Sequence, residues 1–181
     1  MFTITWCSNN YPKSLKLISN MDLISLASQA KSLRKEHKKL LSKLKANKDQ
    51  HIDRMFQEQH EIAFQSIDCL ECANCCKTTG PLITDKDVVR IAKHLKLSPQ
   101  QFIEQFLRID EDEDYVLQSV PCPFLDHDNF CSIYSVRPKA CREYPHTDRV
   151  KQKQLFSLAL KNAEICPAVF QILEEIRKGI K

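Results

Sequence analysis

Residues 69–76 read Cys69-Leu70-Glu71-Cys72-Ala73-Asn74-Cys75-Cys76, a C-x2-C-x2-C-C run. With two residues between them, neighbouring thiolates of one loop can turn inward on a single metal centre. Buried free cysteines are common in proteins, but nothing gives them this spacing. Cys75 and Cys76 are adjacent, so we expect them to serve different centres or one of them to lie outside the ligand set. The run therefore predicts a metal-binding loop.

Four more cysteines follow the run at irregular intervals: Cys122, Cys131, Cys141 and Cys166. Three thiolates spaced as in the run match the bacterial ferredoxin pattern, in which a Cys-Pro pair supplies a further ligand. Cys166-Pro167 and Cys122-Pro123 are such pairs, and they are the preferred donors. Eight thiols divide into four and four. Two four-cysteine zinc sites, one iron–sulfur cluster with four remaining thiols, or two clusters all satisfy that number.

The composition excludes several classes of protein. The 181 residues include nine cysteines but only two glycines, so glycine-rich phosphate loops and a G-x-S-x-G nucleophile elbow are absent. No apolar run approaches the roughly 20 residues that cross a bilayer, so no membrane span is expected. Residues 1–20 carry no secretory signal pattern. We therefore expect a cytoplasmic protein, in which clustered thiols are more often metal ligands than disulfides, and in which the isolated Cys7 is dispensable.

A regular apolar pattern begins at Met21 and predicts helix. The apolar positions recur every three or four residues, as in a helix that packs on another helix: Leu26, Ala30, Leu33, His37, Leu40 and Leu44. We expect residues 21–65 to form a helical arm, either one long helix or a hairpin that breaks near Asn47. The apolar face is a candidate surface for a protein partner or for self-association. The opposite face is basic, but such faces are usually only solvated, so nucleic-acid binding is not expected.

The rest of the chain reads as short helices and irregular loops. Thr84 to Asp87 resembles a capping box, and Ser98-Pro99 supplies an N-cap and an N1 proline, so a helix is predicted after each. Residues 115–117 suit a short strand, residues 121–145 should be irregular with a tight hairpin near Asp128-Asn129, and two helices are expected at 155–163 and 168–180. The fold class is therefore mostly α.

Three regions follow from this organisation. Residues 1–20 show no period and are expected to be a disordered tail, or to precede a true start at Met21. Residues 21–65 form the predicted helical arm. Residues 66–181 form the predicted cysteine-cluster domain, which is small, irregular and held together by metal.

Four blocks of sequence together resemble one known family. They are the run from Cys69 to Cys76, the segment Pro121-Cys122-Pro123-Phe124-Leu125, the segment from Cys131-Ser132-Ile133-Tyr134 through Arg137-Pro138 and Cys141-Arg142 to Tyr144-Pro145, and the pair Cys166-Pro167. In this order they closely resemble the YkgJ-type CxxCxxCC family of zinc- or iron-chelating proteins, over residues 66–167. The resemblance implies a small bacterial metal-binding or iron–sulfur protein with eight cysteine ligands: Cys69, Cys72, Cys75, Cys76, Cys122, Cys131, Cys141 and Cys166. It implies little about biochemical activity.

Arg137 and Arg142 are candidates for supporting such a centre. A centre with four thiolates carries net negative charge, and guanidinium groups can donate hydrogen bonds to sulfur or to the backbone that carries it. No catalytic constellation is evident, so the sequence leaves three functions open. They are chelation of iron, as an iron–sulfur cluster, or of zinc; a cluster-dependent methyl-transfer or redox enzyme; and an interaction protein with a structural zinc domain.

Overall fold

The computed structural model describes residues 23–180 and is mostly helical there, which confirms the predicted fold class. The helices are α1 (Leu23–Ser32), α2 (Arg34–Leu44), α3 (Asp49–Phe64), α4 (Cys69–Cys72), α5 (Asn74–Thr78), α6 (Asp85–Leu95), α7 (Pro99–Phe106), α8 (Lys139–Glu143), α9 (Gln152–Asn162) and α10 (Pro167–Gly179). Strands β1 (Leu107–Ile109) and β2 (Tyr115–Leu117) pair antiparallel, and Tyr134–Val136 forms a 3-10 turn. The predictions about residues 1–20, Cys7 and a start at Met21 lie outside the described residues.

The N-terminal helices α1–α3 have an apolar face that is covered within the same chain. The break predicted near Asn47 falls between the end of α2 and the start of α3. Leu26, Leu40 and Leu44 are buried as the periodicity predicts, whereas Leu33, at the junction of α1 and α2, is only half-buried. Helix α10 packs on α1, α2 and α3, and α9 packs on α2 and α3. The partner expected for the apolar face is therefore the C-terminal part of the same chain.

This packing forms the first core, which we define as the apolar cluster shared by α1–α3, α9 and α10. Phe56 and Phe156 stack across it with ring centroids 6.0 Å apart. The core includes one polar pair. His37, read from the sequence as an interior position, is buried, and its Nε2 lies 2.7 Å from Oε1 of Glu174 on α10. The contact with Glu174 gives the buried His37 ring a hydrogen-bond partner, without which its burial would be destabilising.

A second core lies among α6, α7, the β1–β2 pair and the loop that follows β2. Both predicted caps are present: Thr84 and Asp87 form a capping box at α6, and Ser98 and Gln101 form one at α7, with Pro99 at N1. The buried apolar residues of this cluster include Ile91, Phe102, Leu107, Leu117, Phe124 and Ile133. No helix within 23–180 combines the length and the apolarity needed to span a membrane.

Between β2 and α9 the chain has little regular structure, as predicted. Within residues 118–151 the regular elements are the turn at Tyr134–Val136 and α8. The hairpin expected near Asp128-Asn129 is present in a short form: the Asp126 N–H donates to the Phe130 carbonyl at 2.8 Å, and Leu125 bridges Cys131. Three of the predicted ligands lie in this segment, so regular secondary structure gives them little support.

Candidate metal centre

The C-x2-C-x2-C-C run forms two very short helices, α4 and α5, joined at Ala73. Asp68 accepts a hydrogen bond from the Leu70 N–H at 2.7 Å and so caps α4. Ala73 adopts a left-handed conformation with φ of 46°, which ends α4 and redirects the chain into α5. This turn lets cysteines from both helices border a common cavity.

Four cysteines, the first thiol group, line that cavity: Cys69, Cys72, Cys75 and Cys166. Apolar and aromatic residues that include Phe64, Ile67 and Tyr144 also line this cavity. The Asn74 side-chain amide donates to the Ile165 carbonyl at 2.6 Å, which holds the run beside the start of α10. The structure thus brings the predicted distant donor Cys166 to the first three cysteines of the run.

The other four cysteines of the described residues, the second thiol group, do not line that cavity: Cys76, Cys122, Cys131 and Cys141. The Cys122 N–H donates to the Cys76 carbonyl at 2.8 Å, so these two residues are fixed to each other through the backbone. Cys122 and Cys131 both pack against the second core. Cys141 lies on α8. Burial, together with the smaller effect of the charges on Cys76, Cys122 and Cys131, raises the pKa of Cys141 to about 12.

Burial and mutual charge keep most of these thiols protonated in the absence of a cation. Burial raises the pKa of Cys166 to about 12, and the charges on Cys69 and Cys72 add to that effect. Burial likewise raises the pKa of Cys122 to about 11, with contributions from Cys76 and Cys131. The charges that act on Cys166 and Cys122 thus come from their own groups, whereas the strongest interaction of Cys75 is with Cys76 of the second group. A cation that binds there must displace protons.

Cys75 and Cys76 mark the closest approach of the two groups. Their Sγ atoms are 4.0 Å apart, and a hydrogen bond from Cys75, with Lys77 nearby, lowers the pKa of Cys76. Cys75 lines the cavity of the first group, whereas the backbone of Cys76 is bonded to Cys122. The adjacent residues therefore contact different parts of the site, while their sulfur atoms remain in contact with each other.

Arg137 and Arg142 lie beside the second thiol group and act on its loop in different ways. The Arg137 guanidinium stacks 3.9 Å from the centroid of the Tyr134 ring, and its charge lowers the pKa values of Cys131 and Cys141 against the larger effect of burial. Arg142 is exposed, and its Nη1 donates to the Arg137 carbonyl at 3.0 Å. Arg137 thus supplies charge near the thiols, and Arg142 supports the backbone.

Sequence reasoning missed the pair that anchors this loop, Asp87 and Arg90 on α6. Besides closing the capping box, Asp87 Oδ1 accepts the Lys139 N–H at 3.1 Å and contacts Arg90. Arg90 Nη2 donates to the Arg137 carbonyl at 3.0 Å. The capping box already gives the Asp87 carboxylate a role within its own helix. No sequence pattern indicates that the same carboxylate also accepts a hydrogen bond from a backbone N–H some fifty residues away.

The thiols of each group lie in the same region, but their sulfur atoms do not converge on a common point. Within residues 23–180, no three His, Cys, Asp or Glu side chains converge in an arrangement that could hold a metal ion. The donor chemistry of each group nevertheless suits one, because four thiols are the ligand set of tetrahedral zinc and of iron–sulfur clusters. Metal binding would therefore turn these side chains inward and remove their protons.

Comparison with known proteins agrees with the cysteine pattern. The chain is 33% identical over 90 residues to the uncharacterized protein MJ0661 of the archaeon Methanocaldococcus jannaschii, and the match covers 48% of each protein. The chain thus spans about half the length of this curated relative, and the bacterial origin stays a prediction. No solved structure matches the chain. The CxxCxxCC family, described as a "Putative zinc- or iron-chelating domain", matches residues 68–167, more than half of the chain. The protein belongs to the CxxCxxCC family.

Proposed function

We propose that this protein chelates zinc or iron in two four-cysteine centres, one for each thiol group. The observation that carries the proposal is the cavity lined by Cys69, Cys72, Cys75 and Cys166, which gathers three cysteines of the run and one from the start of α10. Four sulfur donors complete a tetrahedral coordination shell. The second centre would use Cys76, Cys122, Cys131 and Cys141.

Each centre would connect segments that are distant in sequence. The first would join the α4–α5 run to α10, which belongs to the first core. The second would join Cys76 to the irregular segment that contains the other three members of the second thiol group. Closing loops of this length orders much of the chain, so the binding free energy of the metal becomes folding free energy.

The donor set admits either zinc or an iron–sulfur cluster, and the two give different chemistry. Zinc held by four thiolates would be structural, since all coordination positions are filled, whereas an iron–sulfur cluster would support electron transfer. Arg137 would offset part of the negative charge of the second centre. A cluster-dependent enzyme would further require an open coordination position, which eight cysteines in two complete centres do not leave.

The stoichiometry of bound metal tests the division into two centres. Protein purified anaerobically should contain either two zinc ions, or iron and acid-labile sulfide with visible absorption. Cys72→Ser and Cys131→Ser should each lose one centre, and the double variant should lose both. Cys72→Ser combined with Cys166→Ser should lose only one centre, because both residues belong to the first thiol group.

Two controls make the stoichiometry decisive. Cys7→Ser should keep the full metal content. If Cys72→Ser retains the wild-type metal content after dialysis against a weak chelator, the first group is not a ligand set. If Cys72→Ser with Cys166→Ser loses both centres while circular dichroism shows an intact fold, the division into two groups is wrong.

A further inference from the structure

The hydroxyl of Tyr144 is buried and unused. It has no hydrogen-bond partner among residues 23–180. Burying a phenol hydroxyl without a hydrogen-bond partner destabilises the folded protein, and native proteins rarely leave one in that state. The atom therefore points to a ligand that is absent from the polypeptide itself.

The surroundings of Tyr144 identify the chemical class of that ligand. Its side chain lines the same cavity as the four cysteines of the first thiol group, and it is the only side-chain hydroxyl among the lining residues. Burial raises the pKa of Tyr144, and charges on Cys166, Cys75, Cys72 and Cys69 raise it further. The phenol therefore stays protonated, as a hydrogen-bond donor, and the negative charges closest to it would be thiolates.

The backbone holds Tyr144 in this position. Its N–H donates to the Ala140 carbonyl at 3.1 Å at the end of α8, and its ring packs against the first core. The next carbonyl, that of Pro145, accepts a hydrogen bond at 3.3 Å from the buried Asn162. These two hydrogen bonds fix the backbone at Tyr144 between α8 and α9.

We propose that Tyr144 is a positioning residue that donates a hydrogen bond from its hydroxyl to a ligating sulfur of the first thiol group when that group holds a metal. The inference rests on the proposed function. A hydrogen bond to a thiolate withdraws charge from the sulfur, which slows its reprotonation and raises the reduction potential of an iron–sulfur centre. It also links the two centres, because α8, which carries Cys141, positions the donor for the first.

Replacing Tyr144 by Phe tests this role, because the change removes one oxygen and preserves the ring. Metal-loaded Tyr144→Phe should bind zinc about tenfold more weakly at the first centre, measured by chelator competition. With Co²⁺ in place of zinc, its sulfur-to-metal charge-transfer band should shift to lower energy, because the thiolate is more electron-rich. Tyr115→Phe, which removes a hydroxyl at the second core, should leave both measurements unchanged.

In the metal-free protein, the substitution should not lower stability, and this result separates the proposed role from a purely structural one. Without metal, Tyr144→Phe should be as stable as the wild-type protein or more stable, since it deletes an unpartnered buried hydroxyl. A loss of stability in the metal-free variant, or a charge-transfer band identical to that of wild type, would overturn the inference. Wild-type protein that takes up neither zinc nor iron would instead overturn the proposed function, and this inference with it.

Discussion

At the scale of single residues, the Asp87 carboxylate connects α6 to the loop that carries Cys141. The side chain is 1% exposed and accepts hydrogen bonds from Thr84, Arg90 and the Lys139 N–H. We expect Asp87→Ala to lower the free energy of unfolding by about 2 to 3 kcal/mol, because the variant leaves several donors without a partner. Chemical denaturation measures this change. Asp85→Ala, in the same helical turn but exposed, should cost much less, and equal losses would contradict the argument.

Stability should also depend on pH through Asp87. Burial opposes the charge, but hydrogen bonds from Thr84, Arg90 and Lys139 outweigh it, so the pKa lies below the usual 3.8. A lowered pKa in the folded state adds stability above the unfolded value, and this stability is lost as pH falls through the folded value. The difference in unfolding free energy between wild type and Asp87→Asn should thus be constant near neutral pH and shrink below about pH 4. A difference independent of pH down to complete unfolding would contradict this assignment.

At this scale, sequence reasoning recovers contacts that are local in the chain. Thr84 and Asp87 are three residues apart, and their capping box follows from residue types alone. The contact from Asp87 to Lys139 depends on how α6 and α8 meet, so no local pattern encodes it. The hydroxyl of Tyr144 is a similar case: its position between α8 and the first thiol group exists only in the folded chain.

At the scale of elements, helix α2 has one face in the first core and one face in solvent. Leu40 is 5% exposed, whereas Lys39 beside it is exposed. We expect Leu40→Asp to lower the free energy of unfolding by at least ~3 kcal/mol, because it removes apolar packing and buries a charge. Leu33→Asp should cost clearly less, since Leu33 is half-buried. Thermal and chemical denaturation measure both changes. Lys39→Asp, on the solvent face of the same helix, is the matched control. Similar losses for Leu40→Asp and Lys39→Asp would be inconsistent with this packing.

The same helix shows what periodicity can and cannot predict. A spacing of three and four residues identifies which face of α2 is buried, because side chains at these intervals share one face. It carries no information about the partner, which is α10 and α9 from the far end of the chain. The half-burial of Leu33 also escapes the pattern, because the junction between α1 and α2 displaces it from the regular helical face.

At the scale of the whole molecule, each thiol group adjoins one of the two apolar cores. The first core contains Cys166 and Ile67, and Cys122 and Cys131 pack against the second. A side-chain hydrogen bond from Asn129 to the Glu71 carbonyl, 3.0 Å long, connects the loop of the second group to the run of the first. Metal in both centres would therefore fix the cysteine-rich loops to both cores, while the helices of each core have apolar packing of their own.

Metal removal should consequently loosen one segment and leave most helices folded. Residues 118–151 have few buried apolar side chains, chiefly Phe124 and Ile133, so metal would add a strong tertiary restraint to the hydrogen bonds from Asp87 and Arg90. In protein stripped of metal and then freed of chelator, trypsin should cut this segment first, at Lys139, Arg142, Arg149 or Lys151. Far-ultraviolet circular dichroism should keep most of its helical signal, because α1–α3, α9 and α10 remain packed.

The lysine-rich helix α2 makes this experiment discriminating. It exposes Lys35, Lys38, Lys39 and Lys43, which trypsin would attack first if metal removal unfolded the first core. Mass spectrometry of the first fragments distinguishes the two outcomes, and metal-loaded protein digested in parallel should stay intact in residues 118–151. First cuts in α2 would show that the first core itself unfolds without metal, and identical fragments from the loaded and stripped protein would show that metal does not hold residues 118–151. Cuts confined to residues 118–151 in the stripped protein alone are the expected result, because that segment combines trypsin sites with few buried apolar side chains.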